Sequence, residues 1–172
     1  MTARAAIKVN GTVLSTPAIA EEAQHHPAKT PAAAFEAAAR ALVVRHLLLE
    51  EAARCAIQAD PQDVAPGKRE TREDANIRAL IEAHVQPREP DEAACRAFYE
   101  VHRARFRAQG SQAGTHAKPL PFKDVHEKIA TYLTDQFWRR DAAEYIERLV
   151  ARAEIEGIAM DAQKAKTMEP AG

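Results

Sequence analysis

The longest helical pattern in this sequence limits the folds that are open to it. From Phe122 to about Arg152, apolar residues recur three or four positions apart, which is the spacing of one helix face. These residues are Phe122, Val125, Ile129, Tyr132, Leu133, Phe137, Ile146 and Leu149. A helix of roughly 30 residues is about 45 Å long, which exceeds the width of a small domain. We therefore expect this helix to pack against more than one surface, or to project.

Four further helices are predicted upstream, each from its own start signal. Thr16 is predicted as the N-cap and Pro17 as the first helical residue of a short helix that continues to about Gln24. Thr30-Pro31 begins a second helix, which runs to about Ile57. Residues 41–49 of this second helix are apolar almost all round, so we expect other helices to surround it. After a loop at residues 60–68, Thr71 caps the third helix and Asp91 caps the fourth, which covers Glu92 to about Arg103. On that fourth helix the residues expected to face inward are Ala94, Cys95, Phe98, Tyr99 and Val101.

Both ends of the chain carry a short strand pattern. Ile7 and Val9 alternate with polar residues and are followed by Asn10-Gly11, the dipeptide that most readily forms a tight hairpin turn. Residues 153–155 alternate in the same way before a break at Gly157. We expect these two strands to pair antiparallel. The fold class is therefore mainly α, with about five helices, one long C-terminal helix and a small pairing of the N- and C-terminal strands.

The charge balance argues against partners that bind through electrostatics alone. The chain has 24 Lys and Arg residues against 25 Asp and Glu residues, for a formal net charge of −1. Such a chain lacks the field that would attract nucleic acid or an anionic membrane. No stretch approaches the ~20 apolar residues of a membrane span, and residues 1–13 lack a signal-peptide pattern. The sequence as it stands predicts a cytoplasmic protein, or a periplasmic one if a signal peptide has been removed.

The order of these segments resembles a known family. The segments are Ile-x-Val-Asn-Gly, a short helix, Pro31 to Ala34, the Arg40 to Leu49 helix, Arg69-Glu-Thr and a Tyr-containing fourth helix. In this order they resemble the N-terminal region of SurA-like and nitrogen-fixation-maturation-type parvulins, which are peptidyl-prolyl isomerases. Residues 120–133 look like the helix that follows the isomerase domain in the same proteins.

One part of that family's pattern has no counterpart here. The family places a complete parvulin domain between the fourth helix and the last, with motifs such as Ala-Ser-His-Ile-Leu, and neither these motifs nor the domain occurs in this sequence. We therefore expect one chaperone domain over residues 1–160, composed of an N-terminal part (5–106), a linker replacing the isomerase domain (107–119) and the long helix with its closing strand (120–160). A disordered tail is expected at 161–172. No catalytic residue is carried over, and no isomerase activity is expected.

The resemblance implies a holdase, a chaperone that binds unfolded or partly folded client polypeptides without ATP or another cofactor. Burial of apolar surface is non-directional and suits a broad range of clients. Six aromatic residues are candidates for the client-binding surface, with core packing as the alternative for each. They are Phe98, Tyr99, Phe106, Phe122, Phe137 and Trp138.

Three alternatives remain open at this point. A homodimer, formed across the long helix or by segment exchange at the short joint, is a second use of the same surface. A helical DNA-binding module is disfavoured by the charge balance. A metal or enzyme site has little support: the seven histidines include no His-Glu-x-x-His pair, and Cys55 and Cys95 have no CxxC spacing. His46 is expected to be a core histidine rather than a ligand.

Overall fold

The computed structural model describes residues 6–106 and 119–160. These residues form five α-helices, joined by short strands and two 3-10 turns. In chain order the elements are β1 (Ile7–Val9), β2 (Thr12–Leu14), α1 (Thr16–Glu22), α2 (Pro31–Arg54), β3 (Asp63–Ala65), β4 (Lys68–Arg69), α3 (Arg72–His84), α4 (Glu92–His102), α5 (Phe122–Arg152) and β5 (Ile155–Glu156). The predicted fold class is confirmed, including the long last helix. The predicted linker covers residues 107–119, of which 107–118 lie outside the described residues, as does the predicted disordered tail at 161–172.

The helix starts follow the capping signals, with one shift. Thr30 Oγ1 accepts a hydrogen bond from Ala33 N at the start of α2, and Asp91 Oδ1 accepts one from Ala94 N at the start of α4. At the start of α1 the N-cap is Ser15, not Thr16: its Oγ accepts from Ala18 N. The cap therefore lies one residue earlier than the sequence predicts, and Thr16 is the first helical residue.

The two chain ends meet in one sheet, as the alternation predicts. The strand order is β2-β1-β5, and both pairings are antiparallel. Asn10 and Gly11 both have positive φ (49° and 83°), which is the conformation of a two-residue hairpin turn. On the other side of β1, Val9 lies opposite Ile155 and Lys8 opposite Glu156.

The described residues fall into two compact units. The first unit contains residues 6–84 and 143–160, and the second contains residues 85–106 and 119–142. Helix α5 contributes to both: residues 122–142 belong to the second unit and residues 143–152 to the first. The expectation that this helix packs against more than one surface is thus met by two separate sets of neighbours along its length.

Helix α2 provides much of the core of the first unit, and a small cluster forms the core of the second. In α2, Val43, Leu47 and Leu48 are buried, whereas Val44 is only half-buried. The second unit is centred on Cys95, Tyr99, Val125 and Ile129. The segment predicted as a loop at 60–68 contains the β3–β4 hairpin, whose turn includes Gly67 at φ 73°. Val101, expected to face inward, is 80 % exposed because it lies on the face of α4 opposite this cluster.

Candidate functional site

One concave surface of the first unit is a groove of about 570 Å³ beside the sheet, and its lining is mostly apolar. We call it the apolar groove. Three parts of the chain form it: one residue of α2, one face of α5, and the segment that follows α5. The lining residues are Val44, Ala143, Ile146, Glu147, Val150, Ala151, Ala153, Ile155, Ile158 and Met160. Glu147 is the only charged residue among them.

The floor of the apolar groove is a single stripe of α5. Residues 143, 146, 147, 150 and 151 are spaced at i, i+3, i+4, i+7 and i+8, so they lie on one face of the helix. The neighbouring face of the same helix carries Tyr145 and Leu149, which are buried in the first unit's core. This end of α5 therefore has two apolar faces, one covered by the core and one half-exposed in the groove.

Strand β5 forms one rim of the groove and is an edge of the sheet. Asn10 N donates to Glu154 O at 2.8 Å, and Asn10 Oδ1 accepts from Glu154 N at 3.0 Å. In an antiparallel ladder hydrogen-bonded pairs alternate with non-hydrogen-bonded pairs, so the Val9–Ile155 pair that follows is non-hydrogen-bonded. The N–H and C=O groups of Ile155 consequently point away from β1. Within residues 6–106 and 119–160, no strand pairs with β5 on that side.

The segment after β5 is held in place by a glycine and an arginine. Gly157 has a φ of 82°, and a Cβ at this position would lie 2.6 Å from Ala6 O, so both the backbone conformation and the available space require glycine. Two residues later, Arg40 Nε donates to Ala159 O at 3.1 Å. These contacts bring Ile158 and Met160 back toward α2 and complete the groove wall.

An ion-pair cluster joins the C-terminal ends of α2 and α5 in the first unit. Glu51, which is 8 % exposed, accepts hydrogen bonds from Arg54 Nε and Nη2 at 2.8 and 2.6 Å, and Arg152 Nη2 lies 3.4 Å from its Oε1. The hydrogen bonds from Arg54 lower the pKa of Glu51 to about 2. Because Glu51 is fully engaged by its own arginines, this cluster is a structural tie between the two helices.

The six aromatic residues predicted as candidates all lie in the second unit, where core packing accounts for most of their surface. Tyr99 is 4 % exposed and its hydroxyl donates to Leu120 O at 2.6 Å. Around it pack three of the other candidates, all partly buried: Phe98, Phe106 and Phe122. Phe137 is half-buried, with the guanidinium groups of Arg88 and Arg140 5.6 and 5.4 Å from its ring centre.

Only Trp138 among the six has a large exposed fraction, at 37 %. Tyr132, which belongs to the apolar spacing of the long helix, is 45 % exposed, and its ring centre lies 5.2 Å from that of Phe98. Phe98 also stacks on His102 at 4.1 Å. A small aromatic surface thus exists on the second unit, and its role in client binding stays a prediction.

Sequence reasoning did not single out the apolar groove. The helical spacing of the long helix includes Ile146, whereas Ile158 and Met160 carry no predicted role. The stripe at 143, 146, 147, 150 and 151 is visible in the sequence, but periodicity identifies residues that share a face without saying what covers that face. Among the described residues the sheet ends at β5, and the neighbouring stripe of α5 stays at least partly exposed.

No helix in the described ranges is both long and apolar enough to cross a membrane. Across the same ranges, no group of three or more His, Cys, Asp or Glu side chains is arranged to hold a metal ion. Comparison of the chain with protein-family models, with curated proteins and with solved structures found no match.

Proposed function

We propose that this chain is a peptide-holding chaperone module, which binds unfolded or partly folded segments of other polypeptides and has no isomerase activity itself. The observation that carries the proposal is the apolar groove of the first unit, where a half-exposed helix stripe and the rim of a sheet edge surround about 570 Å³. The resemblance of the segment order to the helical region of SurA-like parvulins supports the same function.

The chemistry of the groove suits a client without a fixed structure. Nine of its ten lining residues are apolar and contribute through burial, which has no directional requirement. Contiguous apolar surface that stays accessible is typical of a site for another polypeptide. Such binding needs neither ATP nor a cofactor, because release follows from the modest affinity of each segment.

The joint between α4 and α5 supports the absence of isomerase activity. Only residues 107–119 separate Phe106 from Leu120, too few for a sheet with its own core and covering helices. On either side of this joint, Leu120 N donates to Phe106 O at 2.8 Å, so the two ends of the joint lie side by side. A proline-isomerisation assay on the intact chain should therefore give the uncatalysed rate.

The holding function is tested by suppression of aggregation of a chemically denatured test enzyme, followed by light scattering. We expect the intact chain to suppress aggregation and Ile146→Asp, which places a charge on the groove floor, to lose most of that effect. The matched control is Val64→Asp in the same unit, since Val64 is 55 % exposed on the β3–β4 hairpin and does not line the groove. Thermal unfolding of each variant verifies that the fold is retained.

A further pair of variants separates the groove from the aromatic surface. Trp138→Ala and Tyr132→Ala should keep full suppression if clients bind in the apolar groove. Loss of suppression in these variants, with Ile146→Asp unaffected, would assign the clients to the second unit instead. No suppression by the unmodified chain at a severalfold excess would exclude the holding function.

A further inference from the structure

The apolar groove lies next to the edge of β5 that pairs with no strand of residues 6–106 and 119–160, and together they define the form that a bound segment takes. We propose that the client binds as an additional strand along the outer edge of β5, placing alternate apolar side chains into the groove and basic side chains on the opposite face. This inference rests on the proposed holding function and specifies the class of segment that is held.

The backbone of β5 offers hydrogen-bonding groups to a further strand. Because Glu154 and Glu156 form the hydrogen-bonded pairs with β1, the N–H and C=O of Ile155 point outward and are positioned to pair with another strand. An edge of this kind is a template for strand addition, in which main-chain hydrogen bonds supply affinity for varied sequences.

The apolar groove lies where the side chains of a strand added beside β5 would be placed. Ile155 lies opposite Val9, which is fully buried, so its side chain is on the core face of the sheet and lines the groove. A strand added beside β5 would run about 4.8 Å further out, above the α5 stripe. Its side chains would alternate between the two faces, so every second residue would enter the groove. The groove is thus the space that the inward side chains of a fourth strand would fill.

The charged side chains around the edge of β5 are mainly carboxylates. Glu154 and Glu156 flank Ile155 and carry side chains on the opposite face, where both residues are exposed. The ammonium Nζ of Lys8 lies 3.2 Å from Oε2 of Glu156 and offsets part of the negative charge of the two carboxylates. Opposite charges on neighbouring strands stabilise pairing and like charges weaken it, so this edge favours a segment that alternates apolar and basic residues.

The first test uses a fluorescein-labelled peptide that alternates Lys with Val and Leu over seven residues, measured by fluorescence anisotropy. Two versions carry N-methyl groups on alternate backbone amides, in one phase or the other, which removes N–H donors without changing any side chain. We expect one phase to weaken binding about tenfold or more and the other phase to bind as the parent peptide does. Replacing Lys by Glu should weaken binding to a similar degree. Equal binding of both N-methylated versions would overturn the proposal.

The second test removes the edge donor from the protein. Ile155→Pro deletes the outward N–H but leaves the bonds from Glu154 and Glu156 to β1, and proline is tolerated at an edge position whose N–H faces solvent. Ile155→Ala is the control, because it removes at least as much of the isoleucine side chain and keeps the N–H. We expect Ile155→Pro to bind the peptide about tenfold more weakly than Ile155→Ala, with thermal unfolding used to verify that both variants are folded.

The outcomes separate this inference from the function on which it rests. If both Ile155 variants bind the peptide equally while aggregation suppression persists, the strand-addition mode is wrong and the holding function stands. If the unmodified chain neither binds the peptide nor suppresses aggregation, the holding function itself fails.

Peptide binding that appears only when the chain ends at Met160 would assign the edge to residues 161–172. A dimer in light scattering that Ile155→Pro converts to monomer would assign it to a second copy. Either of these assignments would overturn the proposal.

Discussion

Two buried tyrosines show how the same hydroxyl group has different effects in different surroundings. The Tyr99 hydroxyl donates to Leu120 O at 2.6 Å and fixes the start of α5 against α4 in the second unit. The Tyr145 hydroxyl is buried in the first unit and has no hydrogen-bond partner among residues 6–106 and 119–160. Burial, with a smaller effect from the Glu51 carboxylate, raises the pKa of Tyr145. A buried hydroxyl without a partner costs free energy, whereas a paired one contributes a modest net stabilisation.

The two tyrosine-to-phenylalanine changes should therefore have opposite effects. We expect Tyr99→Phe to lower the free energy of unfolding by about 1 kcal/mol, because Leu120 O loses its donor. Tyr145→Phe should leave the free energy of unfolding unchanged or raise it by up to about 1 kcal/mol, because it removes an unpaired polar atom. Urea denaturation at neutral pH measures both. A loss of more than about 1 kcal/mol in Tyr145→Phe would mean that the hydroxyl has a partner after all.

At the scale of elements, the first unit depends on contacts between the end of α2 and the end of α5. Glu51 of α2 binds Arg54 one turn later and Arg152 near the end of α5. Asn10 in the β1–β2 turn donates to Glu50 Oε2 at 2.6 Å and also accepts from Glu154 N. Two adjacent residues of α2, Glu50 and Glu51, thus contact the β1–β2 turn and the end of α5, so this region couples α2, α5 and the sheet.

The Glu51 cluster predicts an acid-sensitive contribution to stability. In the folded protein the pKa of Glu51 is about 2, below its ordinary value of 4.5. The contribution of Glu51 to the free energy of unfolding is therefore complete above about pH 4.5 and is lost as the pH falls toward 2. We expect Glu51→Gln to cost about 1–2 kcal/mol at pH 7, and to cost much less at pH 3, in urea denaturation. The arginines are exposed to solvent, which limits the magnitude.

The control for this prediction is Glu36→Gln on the same helix. Glu36 pairs with Arg40 at 3.3 Å on an exposed surface, so its loss should change the free energy of unfolding by less than about 0.5 kcal/mol at either pH. An equal effect of the two variants at pH 7 would mean that the burial of Glu51 has no energetic consequence.

At the scale of the whole molecule, the first unit is built from two distant parts of the chain. Residues 143–160 supply the buried side chains of Tyr145 and Leu149 and the strand β5, while residues 6–84 supply the rest. The unit therefore cannot complete its core until the last part of the chain is present.

A chain that ends after residue 142 tests this dependence. It lacks Tyr145, Leu149 and β5, so we expect α2 to lose the protection of its backbone amides in hydrogen exchange measured by mass spectrometry. Far-UV circular dichroism should show no cooperative thermal transition for the truncated chain comparable with that of the full chain. Protection of α2 equal to that in the full chain would show that residues 6–84 form a stable core alone.

The local structure could be predicted from the sequence alone. Proline, threonine and aspartate at the helix starts, together with the three-to-four spacing of apolar residues, located α2 to α5 to within a few residues, because these signals act between neighbours along the chain. Asn10-Gly11 determined the turn, and alternation at both ends identified the pairing of β1 with β5.

Which apolar faces are covered could be read from the three-dimensional structure but not from the sequence pattern. Val101 and Tyr132 fit an inward pattern and are exposed, whereas the 143–151 stripe of α5 lines a groove beside β5, where the described part of the sheet ends. The physical reason is that periodicity depends on side chains within one helix, whereas burial depends on surfaces brought together from distant parts of the chain. The candidate site lies where such a surface has no partner strand in the part of the chain that the structure describes.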